Sequence, residues 1–357
     1  MTSSDAVGKA RIIVGVDTHR DEHVAVAIDQ LGARLGEHRL PTTSIGYEGL
    51  DCWAMGLGEV IAFGIEGTGS YGAGLARYLA SCGRAVIEVS RPDRSTRRRL
   101  GKSDPVDAEM AARAVLAGVA KDSPKSGLDE VEMIRMLKIV KDSAIKARTQ
   151  AINQMKALIV TAPVELRPRL AGLNARRLVS RCAGFRPGEL VAPLAAAKYA
   201  LRILAQRHSQ LTSQIEGIDS EMVRLTAKVA PALVDVFGVG PDTAAALLIT
   251  AGSNPERLRS EAAFAALCGV NPIPASSGKT NRHRLNRGGD RRANAALYRI
   301  VLVRLRYHQQ TKEYMIRRTS QGMTKAEIIR CLKRYVARHV YSILRDIGRH
   351  NLALATP

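Results

Sequence analysis

Four carboxylates and a pair of serines are the residues of this chain whose types and placement suit chemistry. Asp17 ends a short apolar run (Ile12, Ile13, Val14, Val16), and Glu66 ends another, Val60 to Ile65. Asp104 and Asp107 are three apart, which turns both to one side of a helix. Carboxylates gathered at one end of a sheet repel one another unless cations neutralise them. Two Mg2+ ions with oxygen ligands would do so, and would clamp the attacking and leaving oxygens of a phosphodiester. Each acid also has a plainer reading. Asp17 suits a turn cap, Glu66 a Gly-rich turn, and Asp104-Pro105-Val106-Asp107 a helix start with an N-cap and a Pro at N1. Taken together, in this order and on these elements, they favour the metal site. His19 and His23, beside Asp17, read as exposed turn histidines rather than ligands.

The serines stand in Ala275-Ser276-Ser277-Gly278-Lys279. A serine before glycine is ordinarily a turn residue. Here a basic stretch follows, with Lys279, Arg282, Arg284, Arg287, Arg291 and Arg292. Such cations stabilise a pentacoordinate phosphate and ease the formation of an alkoxide nucleophile. Gly67-Thr68-Gly69-Ser70, after Glu66, lacks the Gly-Lys-Ser/Thr end of a phosphate-binding loop and does not indicate nucleotide binding.

The elements that must position these residues follow from hydrophobic pattern. Strands are expected at 12–16, 24–28, 34–40, 60–65 and 85–89, and helices from Ser44 to Met55, from the Gly67 turn through Ala80, and from Asp104 to Ala117. The order βββαβαβα is that of a ribonuclease H-like mixed sheet, in which the first and fourth strands are neighbours. Val131 to Val160 and Ala195 to Val229 read as two long helices around a Pro-containing break (Pro163, Pro168, Pro187, Pro193), an antiparallel hairpin or an oligomerising coiled coil. Val236 to Ala244 carries Gly-x-Gly-Pro-x-Thr-Ala, equally readable as a helix-hairpin-helix phosphate site or a plain interhelical turn. The fold class is thus α/β plus α, with segments 1–125, 126–230 and 231–357.

Charge points to the partner. The 357 residues carry 54 Lys and Arg against 33 Asp and Glu, a net +21. From Lys279 to Arg349 there are 19 Lys and Arg against 4 acids. A second cluster holds Arg91, Arg94, Arg97, Arg98, Arg99 and Lys102. A single-sign field of this size suits a polyanion, with nucleic acid first among the candidates. Aromatic residues make up 4%, which argues against a base-stacking platform and for phosphate contacts. Five scattered cysteines without CxxC spacing argue against zinc ribbons and disulfide frameworks. No apolar run is long enough to span a bilayer, and Met1 to Ala10 lacks a leader's apolar stretch, so a cytoplasmic protein is expected.

Three stretches, Gly15-Val16-Asp17-Thr18-His19, Ile65 to Tyr71 and Lys102 to Ala108, resemble the DEDD motifs of IS110-family transposases. Gly269-Val270-Asn271-Pro272, Ser276 to Lys279 and Arg287-Gly288-Gly289-Asp290 resemble that family's C-terminal signature. The resemblance departs at Asn294, where many relatives carry Arg. It implies a RuvC-like first domain, a coiled-coil middle and a C-terminal transposase domain with a nucleophilic serine. Asp17, Glu66, Asp104 and Asp107 would bind Mg2+. Ser277, which precedes the glycine, would form a covalent link to DNA, with Ser276 the one-residue alternative. Donor and target DNA, a guide (bridge) RNA, a tetramer built as a dimer of dimers and a bacterial, nucleoid-associated setting are likewise implied. Against this stand a RuvC-like endonuclease using metal-activated water, and a non-catalytic binding protein on a decayed nuclease fold. The second should have lost carboxylates, yet all four remain.

Overall fold

A computed structural model describes residues 10–89, 103–252, 254, 258–277 and 283–355, with side chains to 347. The basic residues Arg94, Arg97, Arg98, Lys102, Lys279 and Arg282 lie outside the described residues. The described residues fall into two compact units, one within Met1–Leu128, Gly252–Arg259 and Gly348–Pro357, the other within Asp129–Ala251 and Ser260–Ile347.

The first unit is a five-stranded mixed sheet with helices on both faces. Strands β1 (Arg11–Thr18), β2 (Glu22–Asp29) and β3 (Arg34–Pro41) form an antiparallel meander. Helix α1 (Ser44–Leu57) leads to β4 (Glu59–Glu66), and α2 (Ala73–Ser81) leads to β5 (Val86–Val89). The sheet order is β3-β2-β1-β4-β5, with β1, β4 and β5 parallel, so the first and fourth strands are neighbours as expected. Helix α3 (Asp104–Leu116) follows.

Strand periodicity decides what each face meets. Ile12, Val14 and Val16 of β1, with Phe63 and Ile65 of β4, pack against Leu50, Leu75 and Leu79 of α1 and α2. The alternate residues turn to α3, where Ile13, Val26 and Ile28 meet Ala108 and Ala112. On that face Gly15 and Gly64 are paired across the parallel strands. A Cβ at Gly15 would lie 2.0 Å from the Ala108 carbonyl oxygen and 2.4 Å from the Ala112 nitrogen. One at Gly64 would lie 2.7 Å from a Val115 methyl. Paired glycines and an alanine helix face therefore let α3 lie directly on the sheet backbone.

The second unit is helical apart from one short ribbon. Helices α4 (Glu130–Thr161) and α7 (Pro193–Val229) are antiparallel: Lys228 pairs with Glu130 at 2.6 Å, Lys141 with Asp219 at 2.5 Å, and Met155 shares a core with Leu201 and Ala205. The break between them holds two short helices that the prolines hid, α5 (Arg167–Leu170) and α6 (Ala175–Ala183). Pro168 sits in the first turn of α5, where its missing N–H costs nothing. Asn174 caps α6 by accepting from Arg177 N at 3.0 Å.

A turn after α8 (Pro231–Val234) leads into α9 (Pro241–Ala251). Its Gly238 has φ of 87°, a left-handed conformation that favours glycine. The Gly240 N–H already donates to Thr243 Oγ1, and Asp242 puts a carboxylate in the first turn of α9. Lys138 and Lys141 approach that carboxylate at 2.9 and 2.8 Å, and Arg299 at 3.0 Å. Burial works against the Asp242 charge, and hydrogen bonds from Lys141 and Lys138 overcome it, holding its pKa at about 2. This turn is filled by the protein's own acid, and offers a phosphate less than its sequence suggested. Helices α10 (Glu261–Leu267), α11 (Arg291–Tyr307), α12 (Gln309–Ser320) and α13 (Lys325–Ala355), with strands β6 (Pro272–Pro274) and β7 (His283–Leu285), complete the chain. No helix among the described residues is long and apolar enough to cross a membrane.

Gly15→Ala should destabilise the protein by about 1–3 kcal/mol, the usual cost of overpacking, because α3 must lift off the sheet. Gly49→Ala, in α1 with nothing within 4 Å of the added methyl, should stabilise by about 0.5–1 kcal/mol. Urea unfolding of the two variants checks both signs.

Candidate active site

Asp17, at the end of β1, shares a face with Gly15, the face that α3 covers. Glu66 is two residues beyond Gly64 on the neighbouring strand, so the same alternation turns it to that face. Both are buried, at 8% exposure each. The Thr18 hydroxyl donates to the Glu66 carbonyl at 2.8 Å and ties the two strand ends together.

Helix α3 delivers the other acids. Ser103 takes the cap position, and Asp104 is the first helical residue rather than the cap, with Pro105 next. Asp107 is buried at 4% exposure one turn later. The close approach at Gly15 and Gly64 holds this first turn near the end of β1.

His19 completes the cluster: it is exposed in the turn just after β1, as expected, and from there it also reaches two carboxylates. Its Nε2 lies 3.1 Å from Asp17 Oδ2 and 3.4 Å from Asp104 Oδ1. One ligand atom each from Asp17, His19 and Asp104 fall within 4.8 Å of one another. Glu66 and Asp107 lie outside that close group. The signal for His19 was present in the sequence, since residues i and i+2 at a strand end face the same way. His23, by contrast, is not an exposed turn residue. It lies fully buried in β2, accepts from the His19 backbone N–H at Nδ1 (3.3 Å), and stacks on Tyr47. Burial pushes its imidazole pKa below the ordinary value.

The electrostatics of Asp17 match a cation site. Burial raises its pKa above the usual carboxylate value; His19 opposes this, while Asp107 and Asp104 push it further up. Two carboxylates and an imidazole in reach of one point, with a third carboxylate adding charge, are a donor set that suits a divalent ion. The oxygen donors suit a hard one such as Mg2+. Gly67, which follows Glu66 at φ of 71°, starts the turn that carries the chain away into α2, with Ser70 N bonded to its carbonyl at 2.8 Å.

The serines stand in the second unit, on the stretch that joins β6 to β7. These two strands pair antiparallel, Pro272 with Leu285 and Pro274 with His283. Ser276 and Ser277 are exposed beyond Pro274. Below them the chain crosses itself at two glycines: a Cβ on Gly289 would lie 2.2 Å from the Gly269 nitrogen. Asp290 N donates to the Leu267 carbonyl at 2.7 Å, and Asn286 Nδ2 donates to the Ala266 carbonyl at 3.0 Å and to Asn271 Oδ1 at 2.7 Å. Asn294 donates to the carbonyls of Cys268 and Gly269 at 3.0 Å each, and accepts from Lys333 at 2.9 Å. Asp290 caps α11 through Arg292 N and Ala293 N. The motif residues around the serines thus build the base of the ribbon. Arg284, Arg287, Arg291 and Arg292 are exposed around it, and Arg292 approaches Asp142 at 3.7 Å.

In the metal-free protein, Asp17→Asn should raise the thermal midpoint at neutral pH, because it removes a charge that burial disfavours. A carboxyl whose pKa is raised by folding favours the folded state in acid, and loses that contribution as pH climbs through its ordinary and then its raised value. The gap between variant and wild type should therefore close in acid. Added Mg2+ should raise the midpoint of the wild type and leave Asp17→Asn unmoved. Calorimetry across pH, with chelator or Mg2+, reads all three effects.

No curated protein is similar enough to the chain to match it. Two family models do match, in order. Residues 14–162 match a DEDD transposase model of the IS110 group, and residues 230–315 match the transposase IS116/IS110/IS902 family. The first covers the acidic cluster and α3, and the second covers the serine ribbon and its glycine crossing. The chain is a DNA-cleaving and rejoining transposase of the IS110 family.

Proposed function

We propose that the chain moves its own insertion element as a site-specific recombinase, using a carboxylate site and a phosphoserine intermediate. In this reading residues 1–125 are a RuvC-like catalytic domain, 126–230 a coiled-coil segment, and 231–357 the transposase domain with a helix-hairpin-helix-like turn. Asp17, Glu66, Asp104 and Asp107 hold Mg2+, which when bound supplies charge neutralisation and Lewis acidity at the phosphodiester. His19 orients the Asp17 and Asp104 carboxylates from between them. Ser277 Oγ bonds to phosphorus as the bond to the leaving strand breaks, and the reverse attack by a strand hydroxyl rejoins the DNA and frees the serine. Arg284, Arg287, Arg291 and Arg292, with Arg94, Arg97, Arg98, Lys102, Lys279 and Arg282, contact phosphates. A guide RNA pairs with donor and target DNA, and four chains, as a dimer of dimers in the bacterial cytoplasm, bring serines and carboxylates together.

The observation that carries this reading is the gathering of Asp17 and Asp104, from separate elements, around His19 at ion-pair distance. Burial and like charge raise the pKa of Asp17 there, as in a site made to be completed by a cation. The exposed position of Ser277 on a ribbon pinned at its base supports the nucleophile, since it leaves the hydroxyl open to a large substrate.

A denaturing gel with the element's flanking DNA, the RNA transcribed from that flank, and Mg2+ tests the chemistry. Wild type should give a covalent protein–DNA adduct. Ser277→Ala should reduce it by at least about a thousandfold, as expected for loss of a nucleophile. Asp17→Ala should abolish it equally, and Ser276→Ala should leave it. Cleaved DNA without adduct in every lane would assign the reaction to metal-activated water and return Ser277 to a turn role. An adduct formed equally well without RNA would remove the guide.

A further inference from the structure

The tip of the long-helix hairpin carries a surface that neither the acidic cluster nor the serine ribbon uses. Helix α6 has one apolar face, where Leu178, Val179 and Cys182 are buried in a core with Met155, Leu166, Leu170 and Leu201. Its other face presents Arg176, Arg177 and Arg181 to solvent, and Arg169 of α5 joins them. These four arginines, with Asn174 and Phe185, line a concavity of about 1110 Å³. From Pro163 to Pro187 the chain holds six arginines and one acid, Glu165. Among the described residues, none of the four guanidinium groups makes an ion pair or donates a hydrogen bond. Other arginines of the same unit do: Arg135 with Glu132, Arg224 with Glu221, and Arg299 with Asp242.

A packed core that serves to hold four unpaired guanidiniums around one hollow is costly in self-repulsion unless a polyanion enters. The guanidinium fork matches phosphate oxygens two at a time. The hollow exceeds what one small anion fills. Its single aromatic, the half-buried Phe185, offers little for stacking unpaired bases. We propose that the hairpin tip is a second DNA-docking site, in which Arg169, Arg176, Arg177 and Arg181 grip the phosphate backbone of a duplex. This rests on DNA being the substrate, and is independent of the serine chemistry.

The test is a salt titration of binding by the full-length chain to a labelled duplex, with chelator present so that no strand is cut. Each phosphate contact contributes a slope of about −0.9 in log K against log salt. Replacing all four arginines by Ala should flatten the slope by about 3–4 and weaken binding at 0.15 M salt by tenfold or more. The Arg177→Ala/Arg181→Ala pair should flatten it by about half as much, and Arg177→Lys/Arg181→Lys should restore it, because charge and not shape sets the slope. Arg224→Ala, which removes an arginine already paired with Glu221, should change nothing. All four arginines are exposed, so the variants should unfold at the wild-type temperature. An unchanged slope in the four-arginine variant overturns the proposal. So does a loss confined to a structured RNA probe, or a change in oligomeric state with DNA binding intact. Ser277→Ala should bind this duplex as the wild type does, so a missing covalent adduct would count against the serine chemistry alone.

Discussion

The architecture of the acidic site depends on how closely one helix can lie on two strands. Side chains normally hold a helix about 10 Å from a sheet. Here Gly15 and Gly64 pair across parallel strands, and the helix answers with Ala108, Ala111 and Ala112. The contact is backbone against backbone. It places the first turn of that helix, with Asp104 and Asp107, beside the end of the strand that carries Asp17. The cost of burying charge, with like-charge repulsion added to it, is the opposing force, visible in the raised pKa of Asp17. The packing of small residues holds together what electrostatics would separate.

The serine ribbon obeys the same rule by different means. Gly289 crosses Gly269 where no side chain would fit, and Asn286 and Asn294 donate to the carbonyls of the turn below. At Asn294 the amide donates to two carbonyls and accepts from Lys333 at once. A guanidinium has no acceptor to offer a lysine. Asn294 therefore belongs to an anchoring arrangement in which Lys333 reaches in from a neighbouring helix.

Much of this was legible in the residues. The apolar runs Ile12 to Val16 and Val60 to Ile65 identified two strands and put acids at their ends, and the spacing of Asp104 and Asp107 put both on one helix. The two family models agree with the motifs that carried the resemblance. Three things were harder to read. Gly15 and Gly64 look like interruptions in strands until the helix above them is known, because close approach is a tertiary fact. His19 is the exposed residue it looked to be, but its place in the acidic cluster was hidden because its second partner, Asp104, is far along the chain. The stretch between the long helices, with Pro163, Pro168 and Pro187, read as a break. Its two short helices owe their stability to a buried face of Leu166, Leu170, Leu178 and Cys182, not to local propensity.

The antiparallel helices also act as a measure of length. At 1.5 Å per residue, the 32 residues of Glu130–Thr161 span about 48 Å. One end is fastened by the Lys228–Glu130 pair, with the Lys138, Lys141 and Asp242 cluster about two to three turns further in, and the other carries the arginine hollow. A turn of B-form duplex advances about 34 Å. The rod is therefore longer than one turn of the double helix, and its span is written in a residue count. Adding or removing whole heptads in step on both helices would preserve the packed seam and change the reach by about 10 Å each time. In a family of such enzymes, hairpin length becomes a gauge that can drift independently of the chemistry at either end.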